Sequence, residues 1–458
     1  MFINRSDLIK DNPTQLNYGI AVTDADHDGE FEFLVAGFGY RNQLLKWNGT
    51  HYVDVAPPVL ADEHRRAIGV AAADIDADGN EEIYILNTDT FAGRKAFGDR
   101  LLDFAGEWVD LFSLPSNQDV LNLTAGRSVA AVDRFGEGNY GFFVANYGGA
   151  MRLYELNADG YIVDAAPEAG LDYVTGGRSL LALPIVSRFL VDIFAGNENG
   201  VNFLFRNKGD GTFEEVAAEL GLQDPYEHVR GIAPLDMGAE HFSLVYGNWE
   251  GAHRLYTPST DGKWDDVAPP RMAKPSKVRT VIAADFDNDG YQEIFFNNIG
   301  EPNRLFAWRK GRWVAVPLGD AEEPTGLGTG AAVADLDGDG RLELLISHGE
   351  SGFQPLSLYH TEPNDNHYIR VRPLSRYGAP ARGAIVTVTM KSGRVMRRTI
   401  DAGSGYLCQM EPVAHFGLGQ ETEIDSIRIS WLEGTSTTID EVTELDETII
   451  VEFVDVFA

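Results

Sequence analysis

Asp24-Ala25-Asp26-His27-Asp28-Gly29-Glu30-Phe31-Glu32 is the stretch from which the fold follows. Its pattern, D-x-D-x-D-G-x-x-E, recurs at 74–82, 285–293 and 335–343. Three aspartates at alternate positions turn their carboxylates onto one point as the loop bends. The glycine permits the tight turn, the seventh residue offers a main-chain carbonyl, and the glutamate closes the shell. Clustered hard oxygen ligands of this kind suit Ca2+, whereas Mg2+ prefers to keep several waters. The expected metal ligands are Asp24, Asp26, Asp28, Glu30 and Glu32; Asp74, Asp76, Asp78, Asn80 and Glu82; Asp285, Asp287, Asp289, Tyr291 and Glu293; and Asp335, Asp337, Asp339, Arg341 and Glu343. About four Ca2+ ions are expected, one per loop.

An EF-hand begins the same way but needs a glutamate at position twelve and a helix after it. Position twelve here is Val35, Ile85, Phe296 or Ile346, inside a β-branched and aromatic run. Such runs form strands. An acidic turn without metal is the bland alternative, but carboxylates crowded this closely repel one another unless a cation sits among them.

Spacing extends the pattern to a repeat. The motif starts are 50 residues apart at 24 and 74, and again at 285 and 335. The interval between holds three worn units starting at 133, 184 and 236, each with an apolar strand before and after. Ligands are lost there (Phe135, Gly141, Pro184 and Gly238 stand at ligand positions), so no metal is assigned to them. The second half of each unit is a hairpin, as in residues 202–217 around Asp210-Gly211. Seven units of four strands describe a seven-bladed β-propeller. Blade seven lacks its outermost strand, and Phe2–Ile9 is expected to supply it.

The blades resemble FG-GAP/VCBS calcium-loop repeats, as in integrin α-subunit propellers. From about residue 361 the character changes, through Asn366–Arg372, Gly383–Thr389, Gly403-Ser404-Gly405-Tyr406, His415–Gly419 and Ile427–Gly434. This part is similar to the ASPIC/UnbV domain. It departs from that family's usual pattern at Leu432, where proline is usual, and at Ile385, where a basic residue is common. The resemblance implies an all-β chain: a propeller over 1–360, its N-terminal strand closing blade seven, then a small β-sandwich or barrel over 361–458.

The chain of 458 residues carries 70 acidic and 37 basic side chains, a net charge of −33. That argues against nucleic acid as a partner. No apolar run is long enough to span a membrane, so no membrane insertion is expected. Cys408 is the one cysteine, so no intrachain disulfide forms. The start lacks the basic and apolar segments of a signal peptide. The expected compartment is extracellular or periplasmic if a leader has been removed, and cytoplasmic otherwise.

No metalloprotease, nucleophile-elbow or P-loop motif is present. One register carries chemistry. Six residues before the starts of units three to six stand Arg127, Arg178, Arg230 and Arg279, and before units one and seven Tyr18 and Thr329, at the beginning of an innermost strand and opposite the calcium loops. Asn146, Asn197 and Asn248 end the second strands on the same face, and Trp249 follows. Together they describe an anion-binding mouth. Pairing of each arginine with a neighbouring Glu198 or Glu250 is the structural alternative. The leading expectation is a calcium-stabilised binding module for a protein, glycan or anionic small molecule. The alternative is an enzyme, a lyase, cyclase or transferase, with His228, His348 or Tyr147 as acid–base groups. The oligomeric state is open.

Overall fold

A computed structural model describes residues 1–454. Seven antiparallel four-stranded units follow one another around an axis, the first six running inner to outer in chain order. Their innermost strands are Asn17–Thr23, Ala67–Ala73, Gly126–Val132, Val174–Leu183, Val229–Leu235, Val278–Ala284 and Gly328–Ala334. They are rich in alanine near the axis (Ala71 to Ala73, Ala130 and Ala131, Ala331 and Ala332), where converging strands leave room for small side chains only. Blades three and four are continuous, because Gly141–Ala150 runs on to pair with Val174–Leu183.

Blade seven takes its outermost strand from the other end of the chain: Phe2–Asn4 pairs antiparallel with Ser357–Thr361. Phe2 is buried between blades six and seven, edge-to-face with Phe286 at 4.9 Å. The C-terminal part is a second all-β unit of two sheets. His367–Pro373 lies between Ala414–Gly419 and Thr448–Val451, and Ile385–Met390 lies between Val395–Thr399 and Ile424–Ser430, with Ser436–Ile439 at the edge. Alternate residues of these strands, among them Ile369, Val371, Val386, Val388, Ile427 and Ile429, form its own core. No helix of the described residues is long and apolar enough to cross a membrane.

The C-terminal unit sits on the acidic-loop face. Arg372 donates to the Gly29 carbonyl (3.0 Å), Arg394 to that of Asp289 (3.0 Å), and the Gly417 amide to Asp285 Oδ2 (3.0 Å). One segment goes further. Residues 402–411 enter the axis and bond to the innermost strands. Ala131 donates to Ala402, Gly405 and Ile232 exchange two backbone bonds, and Gln409 bonds Ile20 and Val22 through its backbone and Ala72 through its side chain. The axis of the ring is filled by its neighbour.

Candidate functional site

Each of the four acidic loops is built alike. The first aspartate accepts the glycine amide: Gly29 to Asp24 (2.8 Å), Gly79 to Asp74 (3.0 Å), Gly290 to Asp285 (2.9 Å) and Gly340 to Asp335 (3.0 Å). The closing glutamate accepts the second residue's amide: Ala25 to Glu32, Ile75 to Glu82, Phe286 to Glu293 and Leu336 to Glu343. Asp24 and Asp74 accept a second amide on the other oxygen, from Asp28 (3.0 Å) and Ala77 (2.7 Å). Asp285 Oδ1 and Asp335 Oδ1 are buried without a hydrogen-bond partner. In blade seven, oxygens of Asp335, Asp337, Asp339 and Glu343 lie within 4.8 Å of one another; Asp24, Asp26 and Glu32, Asp74, Asp76 and Asp78, and Asp285, Asp287 and Asp289 converge likewise. Burial, then the neighbouring carboxylates, push Asp74 up to about 7 and Glu82 up to about 10. A hard divalent cation fits these carboxylate donor sets, which are all oxygen. The seventh residues, Glu30, Asn80, Tyr291 and Arg341, direct their amides to the fifth-position carboxylate.

The loops differ in what the third strand brings to them, a feature absent from the nine-residue pattern. Strand pairing puts Lys46, Asp103, Ala307 and His360 at one register. In blade one, Lys46 Nζ lies 2.8, 2.6 and 3.0 Å from Asp26, Asp28 and Glu32. In blade two, Asp103 adds a further negative charge beside Asp78 and Glu82. Among the described residues no lysine or arginine forms an ion pair with Asp74, Asp76, Asp78 or Glu82; the loop's Glu81 points away to Arg382. In blade six, Arg309 reaches in from two residues further along to Asp287 (2.5 Å) and Asp289 (2.6 Å). In blade seven, His360 stands 3.8 Å from Asp337.

In blades three to five the surviving aspartates, at the first position in Asp133 and Asp236 and the ninth in Asp192, accept backbone amides. Asp133 accepts the amides of Phe135, Gly136, Glu137 and Gly138, Asp192 caps Ile185, Val186 and Ser187, and Asp236 takes the Arg397 amide (2.7 Å).

The opposite face has a cavity of about 470 Å³ around the axis. Its walls come from a register break shared by all seven blades. The pairing of first and second strands slips at Tyr18, Ile68, Arg127, Arg178, Arg230, Arg279 and Thr329. Such a bulge re-aims its side chain, and all of these except Thr329 line the cavity. The four arginines are 4, 6, 3 and 7% exposed. Arg178 and Arg230 share Glu198 (2.6 and 2.9 Å), and Arg279 pairs with Glu350. Glu250, the other partner considered from sequence, does not line the cavity. Arg279 lies 4.2 Å over Trp249 and Arg178 4.7 Å over Tyr147.

Tyr406, carried in by the axial segment, forms the floor of this cavity. Burial alone raises a phenol's pKa; here Arg178, Arg279, Arg230 and Arg127 outweigh it and hold Tyr406 below the ordinary tyrosine value. The sequence offered no pairing signal for it beyond Gly403-Ser404-Gly405, a backbone able to turn inside a narrow axis. Gly405 has φ +71°, and a Cβ there would meet Met410 and Thr280 at 3.0 Å.

The asparagines go elsewhere. Asn146, Asn197 and Asn248 each donate to the carbonyl four residues on, of Ala150, Val201 and Ala252 (2.7, 2.6 and 2.6 Å). They clamp the loop after the second strand and do not line the cavity. Nor are His228, His348 and Tyr147 brought together there. His348 is buried between the Pro355 carbonyl (2.7 Å) and Glu323 (3.1 Å), His228 accepts the Asn199 amide, and Tyr147 packs edge-on to Phe91.

Fold and loops together define an FG-GAP propeller joined to an ASPIC/UnbV unit. The family model "FG-GAP-like repeat" matches residues 24–85 and 285–346, and "ASPIC and UnbV" matches 375–453. The chain belongs to the cartilage acidic protein 1 family. It is 48% identical to "Cartilage acidic protein 1" of Xenopus tropicalis over 92% of this chain and 71% of that one. It is also 48% identical to the Homo sapiens protein of that name, over 92% and 70%. Among solved structures, BBS1N in complex with ARL6DN aligns over 78% of this chain and 97% of its own, at 13% identity and a TM-score of 0.47. YCF48 bound to D1 peptide aligns over 77% and 95%, at 13% and 0.46.

Proposed function

We propose that the chain is a calcium-braced interaction module, with no chemistry of its own, whose mouth face meets a protein, glycan or anionic partner. The observation that carries this is the arrangement of the four loops. Their carboxylate oxygens converge beneath the C-terminal unit, so an ion bound there ties a blade to the unit seated on it. Ca2+ at blades one, two, six and seven then stabilises the assembled form over the unfolded one. The ligands are the aspartates and glutamates at the first, third, fifth and ninth positions, with the carbonyls of Glu30, Asn80, Tyr291 and Arg341.

The mouth face supports the partner half of this reading. Phe91 lines the cavity and is exposed, Phe353, Phe97 and Tyr226 are exposed in loops between strands, and Tyr40 packs against Phe353 at 6.0 Å. Large exposed aromatics beside a charged recess suit a contact surface. Tyr147 stacks on Arg178 beside that recess, but His228 and His348 are engaged away from it, so the three acid–base candidates form no catalytic cluster there. A calorimetric Ca2+ titration of metal-stripped protein, with melting followed in parallel, tests the reading. Saturable binding with a rise in melting temperature is expected. Binding without stabilisation, or no binding, overturns it.

A further inference from the structure

The cavity at the mouth holds more positive charge than the protein neutralises. Four guanidiniums face three carboxylates, Glu198, Glu350 and Asp89. The Asp89 carboxylate is already engaged by the amides of Ala96 and Phe97. Arg127 has no carboxylate partner among the described residues. It donates to Thr88 Oγ1 (3.3 Å) and to the carbonyls of Gly126 (3.2 Å) and Phe91. The Nε of Arg230 is buried with no acceptor. No described group hydrogen-bonds the hydroxyl of Tyr406, which is 4% exposed. The aromatic faces of Phe91, Tyr147 and Trp249 soften this charge but are neutral. Burying cations without a counter-charge is costly. Yet bulges in four successive blades aim them at one point.

We propose that this cavity is the binding site for a small organic oxyanion, a carboxylate or phosphate on a flat apolar body, clasped by Arg127, Arg230 and Tyr406. The proposal rests on reading the mouth as the module's ligand site, and it goes further in naming the ligand's chemistry. Guanidinium forks present parallel N–H groups that suit two oxygens of one anionic group. The phenol on the floor supplies a third donor. Phe91, Phe38, Ile68 and Trp249 in the walls take the apolar body. At about 470 Å³ the cavity falls in the small-molecule range of roughly 300–1,000 Å³. Tyr406 comes from the C-terminal unit, so the ring alone would lack the floor of the site.

The test uses the full chain at saturating Ca2+, with benzoate, inorganic phosphate and chloride as probes at matched ionic strength. Benzoate or phosphate is expected to raise the melting temperature saturably and to move the onset of tyrosinate absorbance to higher pH, while chloride does neither. A response to benzoate alone identifies the carboxylate, and a response to phosphate alone the phosphate. Arg127→Gln relieves repulsion, so without anion it should melt no lower than the parent. Its affinity for the effective probe should fall roughly tenfold or more, the loss of one charged hydrogen bond. Tyr406→Phe keeps the ring's packing and should weaken binding several-fold while abolishing the early tyrosinate signal. An equal response of parent and both variants, or no saturable response to either probe, overturns the proposal. Calcium stabilisation without an anion response would leave the interaction-module reading standing and remove this one.

Discussion

Arg382 of the C-terminal unit and Glu81 at the second acidic loop form an ion pair closed off from solvent, with Nη2 and Oε2 2.9 Å apart. The same guanidinium donates to the carbonyls of Val22 (3.1 Å) and Asp401 (2.7 Å), and Glu81 takes the Thr23 hydroxyl (2.9 Å). One buried charge thereby holds blades one and two to the domain above them. Removing one partner strands the other in a place without water. Glu81→Ala or Arg382→Ala should each cost about 3–5 kcal/mol in urea unfolding of the calcium-loaded protein. The double variant Arg382→Met with Glu81→Met should lose less than the sum of the two. Strict additivity would mean that the pair is not coupled.

The four loops should not bind calcium equally. In blade one, Lys46 already sits among Asp26, Asp28 and Glu32, and an incoming ion must displace it. Lys46→Met should therefore strengthen calcium binding at that loop. Blade two carries Asp103 in the same register and, among the described residues, no basic partner on Asp74, Asp76, Asp78 or Glu82, so it is expected to be the tightest. Asp76→Asn should remove the highest-affinity step of a titration, while Asp287→Asn, beside Arg309, should leave that step intact. A titration in which all steps weaken together would contradict this ranking.

Glu198 makes the mouth acid-sensitive. Burial opposes its ionisation, but Arg230 and Arg178 outweigh burial and bring it from 4.5 to about 2. A depressed carboxyl contributes stability that is complete above its unfolded value and lost as pH falls through the folded one. Wild-type and Glu198→Gln protein should differ most above pH ~4.5 and converge towards pH ~2. Urea unfolding at several pH values checks this. A constant gap across that window would assign the effect of the substitution to packing.

Blade seven depends on one aromatic ring from the start of the chain. Phe2 is buried against Phe286, Phe295 and Tyr359, and its amide donates to Leu318 (2.9 Å). Phe2→Ala should cost about 3–5 kcal/mol, as core aromatic truncations do. The melting temperature should fall accordingly. A change no larger than that of an exposed substitution, such as Tyr226→Ala, would show that the strand is dispensable.

What was legible in the sequence was local. The acidic loops announce themselves because their donors sit within nine residues of one another. The propeller follows from counting between them. The arginines could be found because they share a register with the loops. Groups supplied from across a strand or a domain were not legible. Lys46, Asp103 and His360 reach the loops only through pairing of the second and third strands. Tyr406 reaches the arginines only because a segment of another domain enters the axis. The strand-end asparagines show the converse. Asn146, Asn197 and Asn248 have a regular spacing, but an amide beside a tight loop finds the carbonyl four residues on before it finds a ligand.

The filled axis also dictates an order of assembly. The ring cannot be stitched until Ser357–Thr361 has been made to receive Phe2–Asn4, and residues 402–411 are synthesised later still. For that interval a nascent ring would hold unanswered backbone groups at Val22, Ala131 and Ile232, and an open shaft beneath four arginines. Cut after residue 361, the chain would have all its blades and an unfinished middle. The seven blades are a repeat in sequence, but the unit that folds includes the loop that arrives last.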